Sequence, residues 1–563
     1  MLNDKQHKVV YELSGNTIVS ASPGSGKTKT LVARAQHKLN TLPPHKSLAL
    51  ITYTNAGADE IAFRLSESES EIFVGTIHRF CLEYILRPFS WIYDWRKPKV
   101  VSYDELMEFI VLNPDIILGN NPLDELNKIK KSISGELDLS VGWSNPQALE
   151  YVAELYYRFL YTKKVIDFNE ILYRSYKIIS ENEFVGISIA NKFYEISIDE
   201  FQDTNIFQYE IMKVINQNNI CTFFLVGDER QRIFRFAGAI VDAFSKAATD
   251  FSSSVEILDI TYRSTSNIIN AYSSLFDDHP LLINESEYKN EDSPFHLIQT
   301  TKDNHNSTII NIVDKLVNEY NFQTKDIAIL SPQWMDALNV SRSLRNKYSV
   351  VGLGALPHKN INNSTFNLLR CLCRFYHLAS VRNLRIIRRS IELHLLENNI
   401  SINDTDFNST TNTLISRFNS MDKSVSLVDG IILSKNLFDS TFRITHSVFN
   451  EILNILNPDE STYWTFEKYI ETLSGVLGIT INTIHQAKGL EYDVVILNQI
   501  NENKIPYQQY LGRNGNEYLY APLTEQNYED GRNLFYVGLS RAKSLLIVLH
   551  NWKPSIFISI IKP

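Results

Sequence analysis

The sequence predicts an α/β fold with two parallel sheets, each interrupted by a mostly helical insertion. Three observations carry that reading. Short apolar strands alternate with amphipathic helices over most of the 563 residues, the pattern of parallel sheets with helical crossovers. Two stretches, about 87–186 and about 367–475, break the alternation and read as polar and helical. The length leaves room for about four bodies at roughly 150 residues each.

In chain order, the first strand set is expected at 17–20, 48–52, 194–198, 222–226 and 256–260. The second set is expected at 327–330, 349–352, 479–484, 494–497 and 545–549. Each run is short, apolar and rich in β-branched residues, as strands buried on both faces are. The resulting division is 1–84 with 188–275 for the first core and 85–187 for its insertion. The second core takes 276–366 with 476–563, and its insertion takes 367–475.

Composition sets limits. Hydrophobic residues at 44% and charged residues at 21% describe a folding chain, not a disordered one. The 55 Lys+Arg against 64 Asp+Glu leave a net charge of −9. That excludes a uniformly basic coat for nucleic acid, though not a local basic groove. Arg382, Arg385 and Arg389 recur at helical spacing with Arg388 beside them. This basic face suits a duplex, an acidic partner surface or plain solvation. Four cysteines, with Cys371 and Cys373 as a lone C-x-C, give neither a disulfide scaffold nor a zinc site. The start of the chain lacks a basic region followed by an apolar one, and no apolar run approaches a membrane span. The expectation is a cytoplasmic chain with no membrane partner.

One loop carries the first chemistry. Ala21, Ser22, Pro23, Gly24, Ser25, Gly26, Lys27, Thr28 and Lys29 follow a strand and open a helix. Gly24 and Gly26 let the backbone curl so that its N–H groups face phosphates. The helix N-terminus adds its positive end. Lys27 is suited to the β- and γ-phosphates, and the Thr28 hydroxyl to Mg²⁺. Ala21 stands where the strict pattern has Gly. The strand ending at Asp199-Glu200 supplies the complement: Asp199 for Mg²⁺, and Glu200 to take a proton from attacking water.

Further segments extend the series in order. They are Leu2 to Gln6, Thr52 to Ala56, Gly75 to Cys81, Asp199 to Thr204, and Val226-Gly227-Asp228 with Gln231 and Phe236 to Ala239. Thr261 to Ser264, Thr483 to Glu491 and Tyr536 to Ala542 complete it. Together they resemble the motifs of superfamily 1 helicases of the UvrD/Rep/PcrA type over nearly the whole chain. The resemblance implies two RecA-like P-loop NTPase cores with insertions, in the 1A, 1B, 2A, 2B architecture. It implies ATP and Mg²⁺ as cofactors, single-stranded or tailed DNA as partner, and 3′→5′ movement driven by ATP hydrolysis. By the same resemblance Gln6 reads adenine, Gln231 senses the γ-phosphate and Glu491 binds the ribose. Arg263 and Arg541 come from the second core and neutralise transition-state charge. Tyr53 and Phe236 match base-stacking rings, and Thr54, Asn55, His78, Thr483 and His485 match strand contacts.

The chain departs from the pattern in places. Ala237 and Ser331-Pro332 stand where relatives carry Arg, Thr261 replaces Asn, and residues 530–533 keep part of an acidic–basic motif. The second insertion is short for a full-size member. In that respect the chain is similar to the helicase-like subunit of Gabija-type antiphage systems. That alternative implies a nucleotide- and DNA-sensing subunit that regulates a partner nuclease, with weak or no unwinding. Asn514-Gly515 is a candidate turn for a strand-separating hairpin.

Overall fold

Six short runs of largely apolar residues pair side by side in the first half of the chain. They are β1 (Thr17–Ala21), β2 (Ser47–Thr52), β3 (Ile72–Thr76), β4 (Phe193–Ile198), β5 (Thr222–Gly227) and β6 (Ser254–Leu258). Their order is β3-β2-β4-β5-β1-β6, parallel throughout. The computed structural model describes residues 2–65, 72–93, 98–113, 122–138, 148–291, 295–358, 361, 363–398, 400, 404–456, 464–514 and 517–561. Ile18, Val19, Phe224 and Leu225 are fully buried, so β1 and β5 read as continuous apolar runs. Strand β3 escapes the sequence reading because it is an edge, with buried residues only at alternate positions.

The second half repeats the device. Its strands are β7 (His296–Gln299), β8 (Ile327–Ser331), β9 (Val350–Gly352), β10 (Ile479–Thr483), β11 (Tyr492–Leu497) and β12 (Ala542–His550). The order β7-β12-β11-β8-β10-β9 is again all parallel. Edge strand β7 is mostly exposed and carries no apolar signal in the sequence.

The chain divides into two units, 1–262 and 263–563, rather than at 275/276. The reason is local. Ser264 Oγ donates to the Ala542 carbonyl at 2.6 Å, and the Thr265 N–H donates to the Lys543 carbonyl at 2.9 Å. Helix Ser266–Ser273 then packs on helix Glu525–Leu539 and on β12.

In the first unit, Phe109, Leu126, Leu149, Tyr156 and Leu160 build a separate apolar cluster within the residues read as an insertion. Helix Phe168–Glu181, read as part of that insertion, instead buries Ile171, Leu172, Ile178 and Ile179 in the core of the first sheet. In the second unit, six helices among the described residues between Ser364 and Ser474 bury Phe366, Leu369, Phe418, Phe438 and Phe466 in a core of their own. The strands flanking Asn514-Gly515, Tyr510–Asn514 and Glu517–Tyr520, are antiparallel. Residues 515–516 lie outside the described residues. Among the described residues, no helix is long and apolar enough to cross a membrane.

Candidate active site

In a parallel sheet every strand delivers its C-terminal end to the same edge, where ligands are bound. The first unit puts its expected residues on that edge. The loop after β1 curls through Gly24 (φ +73°) and Gly26 (φ +80°) and enters helix Lys27–Asn40. Ser25 closes it, donating through Oγ to the Ser22 carbonyl at 2.7 Å. The Lys27 amine donates to the Ala21 carbonyl at 3.2 Å.

Two neighbours brace the loop from within the unit. Gln6, 1% exposed, donates from Nε2 to the Ser25 carbonyl at 2.9 Å and accepts from the Asn3 N–H at 3.1 Å. A Cβ at Gly26 would come within 2.8 Å of that Nε2, so the turn and Gln6 require each other. On the other side, Thr261 Oγ1 donates to the Pro23 carbonyl and the Tyr262 N–H to the Gly24 carbonyl, both at 2.9 Å. Thr261, a departure in sequence, is therefore a buried brace of the loop, and its hydroxyl does the holding.

The acidic pair ends β4. Asp199 continues the ladder, its N–H donating to the Ile51 carbonyl at 2.9 Å. Glu200 turns out of the sheet in the left-handed region, φ +53°, a conformation costing a non-glycine residue about 1 kcal/mol or more. Behind it runs a buried relay. Gln202 Nε2 donates to a Glu200 carboxylate oxygen at 2.5 Å, while Gln202 Oε1 accepts from the Asp228 N–H at 3.0 Å. Gln231 Nε2 donates to Asp228 Oδ2 at 2.8 Å. Gln202, Asp228 and Gln231 are at most 2% exposed. Glu200 and Gln231 are thus mechanically joined, through two residues that sequence reasoning assigned no role. Gly227 makes room: a Cβ there would lie 2.1 Å from Gln202 Oε1.

The strand contacts expected in the first unit share this edge. Tyr53, Thr54 and Asn55 follow β2 and are exposed. Thr54 caps helix Asn55–Arg64 by accepting from the Gly57 N–H at 3.1 Å. The Tyr53 ring stacks on Phe234 at 4.8 Å, and Phe236, 73% exposed, meets Phe234 edge-on at 5.9 Å. Phe234 completes a ledge that the motif reading missed. Burial, then Asp203, pushes the Tyr53 hydroxyl up to about 12, so it stays uncharged. His78 follows β3 and packs edge-on against Phe168 at 5.5 Å. Burial pushes it down to about 4, leaving it neutral.

The second unit holds the rest. Arg263 donates from Nε and Nη2 to Glu491 Oε2 at 2.9 and 2.8 Å, and from Nη1 to the Ser540 carbonyl at 2.9 Å. Lys543 lies 3.5 Å from Glu491 Oε1. Burial raises the Glu491 carboxyl, but Arg263 and Lys543 outweigh it and hold it low. Arg541, read as a charge-neutralising arginine, is 2% exposed. Its guanidinium donates to the Val537 and Leu490 carbonyls and to Ser540 Oγ at 2.9–3.2 Å. Thr483 and His485 follow β10. Thr483 Oγ1 accepts from the Gln486 N–H at 3.3 Å, and burial, then Lys488, lowers His485.

Among the described residues no group of three or more His, Cys, Asp or Glu could hold a metal. Thr28, in the first turn of helix Lys27–Asn40, and Asp199, just after β4, are oxygen donors of the kind a hard cation such as Mg²⁺ takes.

Known proteins resemble the chain over nearly its whole length. Residues 2–252 match the UvrD/REP helicase N-terminal domain, and residues 465–552 the UvrD-like helicase C-terminal domain. The DNA helicase II of Rickettsia typhi is 25% identical, covering 100% of this chain and 93% of that protein. The ATP-dependent DNA helicase Rep of Buchnera aphidicola is 24% identical over 98% of this chain and 95% of its own length. The ATP-dependent DNA helicase PcrA of Leuconostoc citreum is 24% identical over 100% of this chain and 85% of its own. With both its N-terminal and C-terminal domains matched and whole relatives covered nearly end to end, the chain belongs to the UvrD/Rep helicase family.

Proposed function

We propose that the protein hydrolyses ATP to move along single-stranded DNA, 3′→5′ by its family resemblance. The buried relay from Glu200 through Gln202 and Asp228 to Gln231 is the observation that carries this reading. It ties a proton acceptor to a polar sensor, which a structural remnant would not retain. Lys27 and the N–H groups of the glycine loop hold the phosphates. Thr28 and Asp199 hold Mg²⁺, which when bound withdraws charge from the phosphates. Gln6 borders the adenine and Glu491 the ribose. Glu200 accepts a proton from the attacking water, and Gln231 orients near the γ-phosphate. Arg263 neutralises developing charge, the kind of contribution worth on the order of 10³–10⁵ in rate. By the same family resemblance, Arg541 neutralises that charge as well. The exposed rings Tyr53 and Phe236, on Phe234, stack bases without regard to sequence.

The test is ATP turnover with and without single-stranded DNA, together with strand displacement on 3′-tailed, 5′-tailed and blunt duplexes. Stimulation by single strands is expected, and its absence with every DNA form would refute the proposal. Lys27→Ala and Glu200→Gln are expected to abolish hydrolysis in folded protein. Co-purification of a nuclease, with no displacement of any duplex, would favour the sensing-subunit reading instead.

A further inference from the structure

A cavity of about 230 Å³ opens in the first unit and is lined by none of the residues expected to hold nucleotide or strand. It lies at the seam between insertion and core. Lys131 and Tyr161 come from the insertion side, and Tyr161 directly follows Leu160 of the insertion's apolar cluster. Leu86 and Ile178, both 2% exposed, belong to the core of the first sheet and form an apolar floor. Arg174 and Lys177 line it from helix Phe168–Glu181.

The charges of the wall do not balance. Glu170, 1% exposed, is the one carboxylate lining the cavity among the described residues. It already meets two cations: Lys131 Nζ lies 2.9 Å from its Oε1, and Arg174 Nε donates to its Oε2. Lys177 is the third cation of the wall, and Glu181, 3.9 Å from it, stands outside the lining. Even with Glu181 counted, three cations meet two carboxylates. Charge in a partly enclosed wall is costly unless it is countered, so the surplus favours an anion. Tyrosine rings hold the cations in place. Lys131 Nζ lies 4.1 Å over Tyr157 and 4.7 Å over Tyr173, and Lys177 Nζ lies 5.8 Å over Tyr93. The Tyr93 hydroxyl is fixed in turn by donating to Glu181. Tyr161, 69% exposed, borders the cavity.

An apolar floor, tyrosine rings and surplus positive charge together match a flat ring that carries an acidic group. The volume falls below the roughly 300–1,000 Å³ usual for ligand sites, which points to a small ligand. We infer that this cavity binds a small aromatic anion, a ring bearing a carboxylate or a phosphate, and that the bound ligand bridges insertion and core. Its ring lies among the tyrosines over Leu86 and Ile178, and its anionic group meets Lys177 and Lys131. This site is separate from the phosphate loop, and it holds whether or not the protein moves on DNA.

The experiment titrates the full chain with benzoate and with phenyl phosphate by calorimetry. Benzamide, a ring without charge, and inorganic phosphate, a charge without a ring, serve as controls. Benzoate or phenyl phosphate is expected to bind about tenfold or more tighter than either control, the worth of one hydrogen bond to a charged group. Whichever of the two binds tighter identifies the anionic group. Lys177→Ala should weaken that binding by roughly 10- to 150-fold, the loss of one such bond. Tyr161→Ala should weaken it by roughly 2- to 12-fold, the loss of one ring contact. Both variants should keep the unfolding temperature and ATP turnover of the wild type. The saturating probe should slow amide exchange in helix Leu149–Lys163 and in helix Phe168–Glu181 together. No binding of either aromatic anion, controls that bind as tightly, or affinity unchanged in Lys177→Ala overturns the inference. Protection confined to one of the two helices overturns the bridge.

Discussion

Gln202 shows what a single side chain does at this site. Its amide holds Glu200 with one end and the Asp228 backbone with the other, and Gly227 is the only residue small enough to let it lie there. A methyl group at 227 must displace Gln202, and with it the Glu200 carboxylate that we propose accepts the proton. Misplacement of about 1 Å typically lowers turnover by on the order of 10². Gly227→Ala is therefore expected to lose about that factor in ATP turnover, with nucleotide affinity, read by fluorescence titration, much less affected. His78 supports a second prediction. Its folded value of about 4 lies below the ordinary histidine range. The unfolded chain therefore binds more protons between about pH 6.5 and 4, and the folded state loses stability as pH falls through that window. Above it there is no penalty. His394 adds to the same trend, pushed to about 4 by burial and by His446 beside it. Unfolding midpoints are expected to fall below about pH 6.5, and His394→Leu should flatten the slope.

At the scale of elements, the second insertion is a helical body with its own core, and Gly430 fixes its tightest contact. The residue sits inside helix Leu427–Phe442, where alanine would ordinarily be favoured by about 1 kcal/mol. A Cβ there would lie 2.0 Å from the Phe466 ring, and overpacking of this kind costs about 1–3 kcal/mol. The clash should win. Gly430→Ala is expected to lower the urea midpoint of the purified protein, while Gly475→Ala, with only Val351 near at 3.9 Å but a φ of +62°, tests strain without a clash. Elements also mark where the sequence was legible. The ten expected strands all form: eight are central and leave largely apolar runs, and the edge strands β6 and β9 keep enough apolar residues to be read. Edge strands β3 and β7 do not, since half or more of their residues face outward. Helix Phe168–Glu181 was assigned to an insertion because amphipathicity marks one buried face without naming the surface it meets.

Across the first unit, one buried ion pair joins the parts that form the proposed nucleotide site. Arg34, 1% exposed, grips both oxygens of Glu195, itself 2% exposed, at 2.7–3.1 Å. It also donates to the Val9 and Leu13 carbonyls and lies over Phe224. The N-terminal segment, the phosphate-loop helix and the strand leading to Asp199 thus share one guanidinium. Removing either charge strands the other, at about 3–5 kcal/mol. Arg34→Met should fall in unfolding free energy by that amount, and Arg34→Met with Glu195→Leu should recover much of it. For the whole chain, the −9 charge and the ring ledge predict DNA binding with few neutralised phosphates. Raising salt from about 50 to about 200 mM should weaken single-strand binding by less than about tenfold, as for two or so phosphate contacts.

The sequence by itself determined the two parallel sheets, the phosphate loop, the acidic pair and the family, because these are written in contiguous residues at fixed spacing. Tertiary structure alone decided what those residues touch. It alone joined Glu200 to Gln231 through Gln202, made Thr261 a brace of the phosphate loop, placed Phe234 under Tyr53, and paired Arg34 with Glu195. Each of these links residues distant in the chain or opposed across a turn. Hydrogen-bond geometry and packing volume select them, and neither quantity exists until the chain has folded.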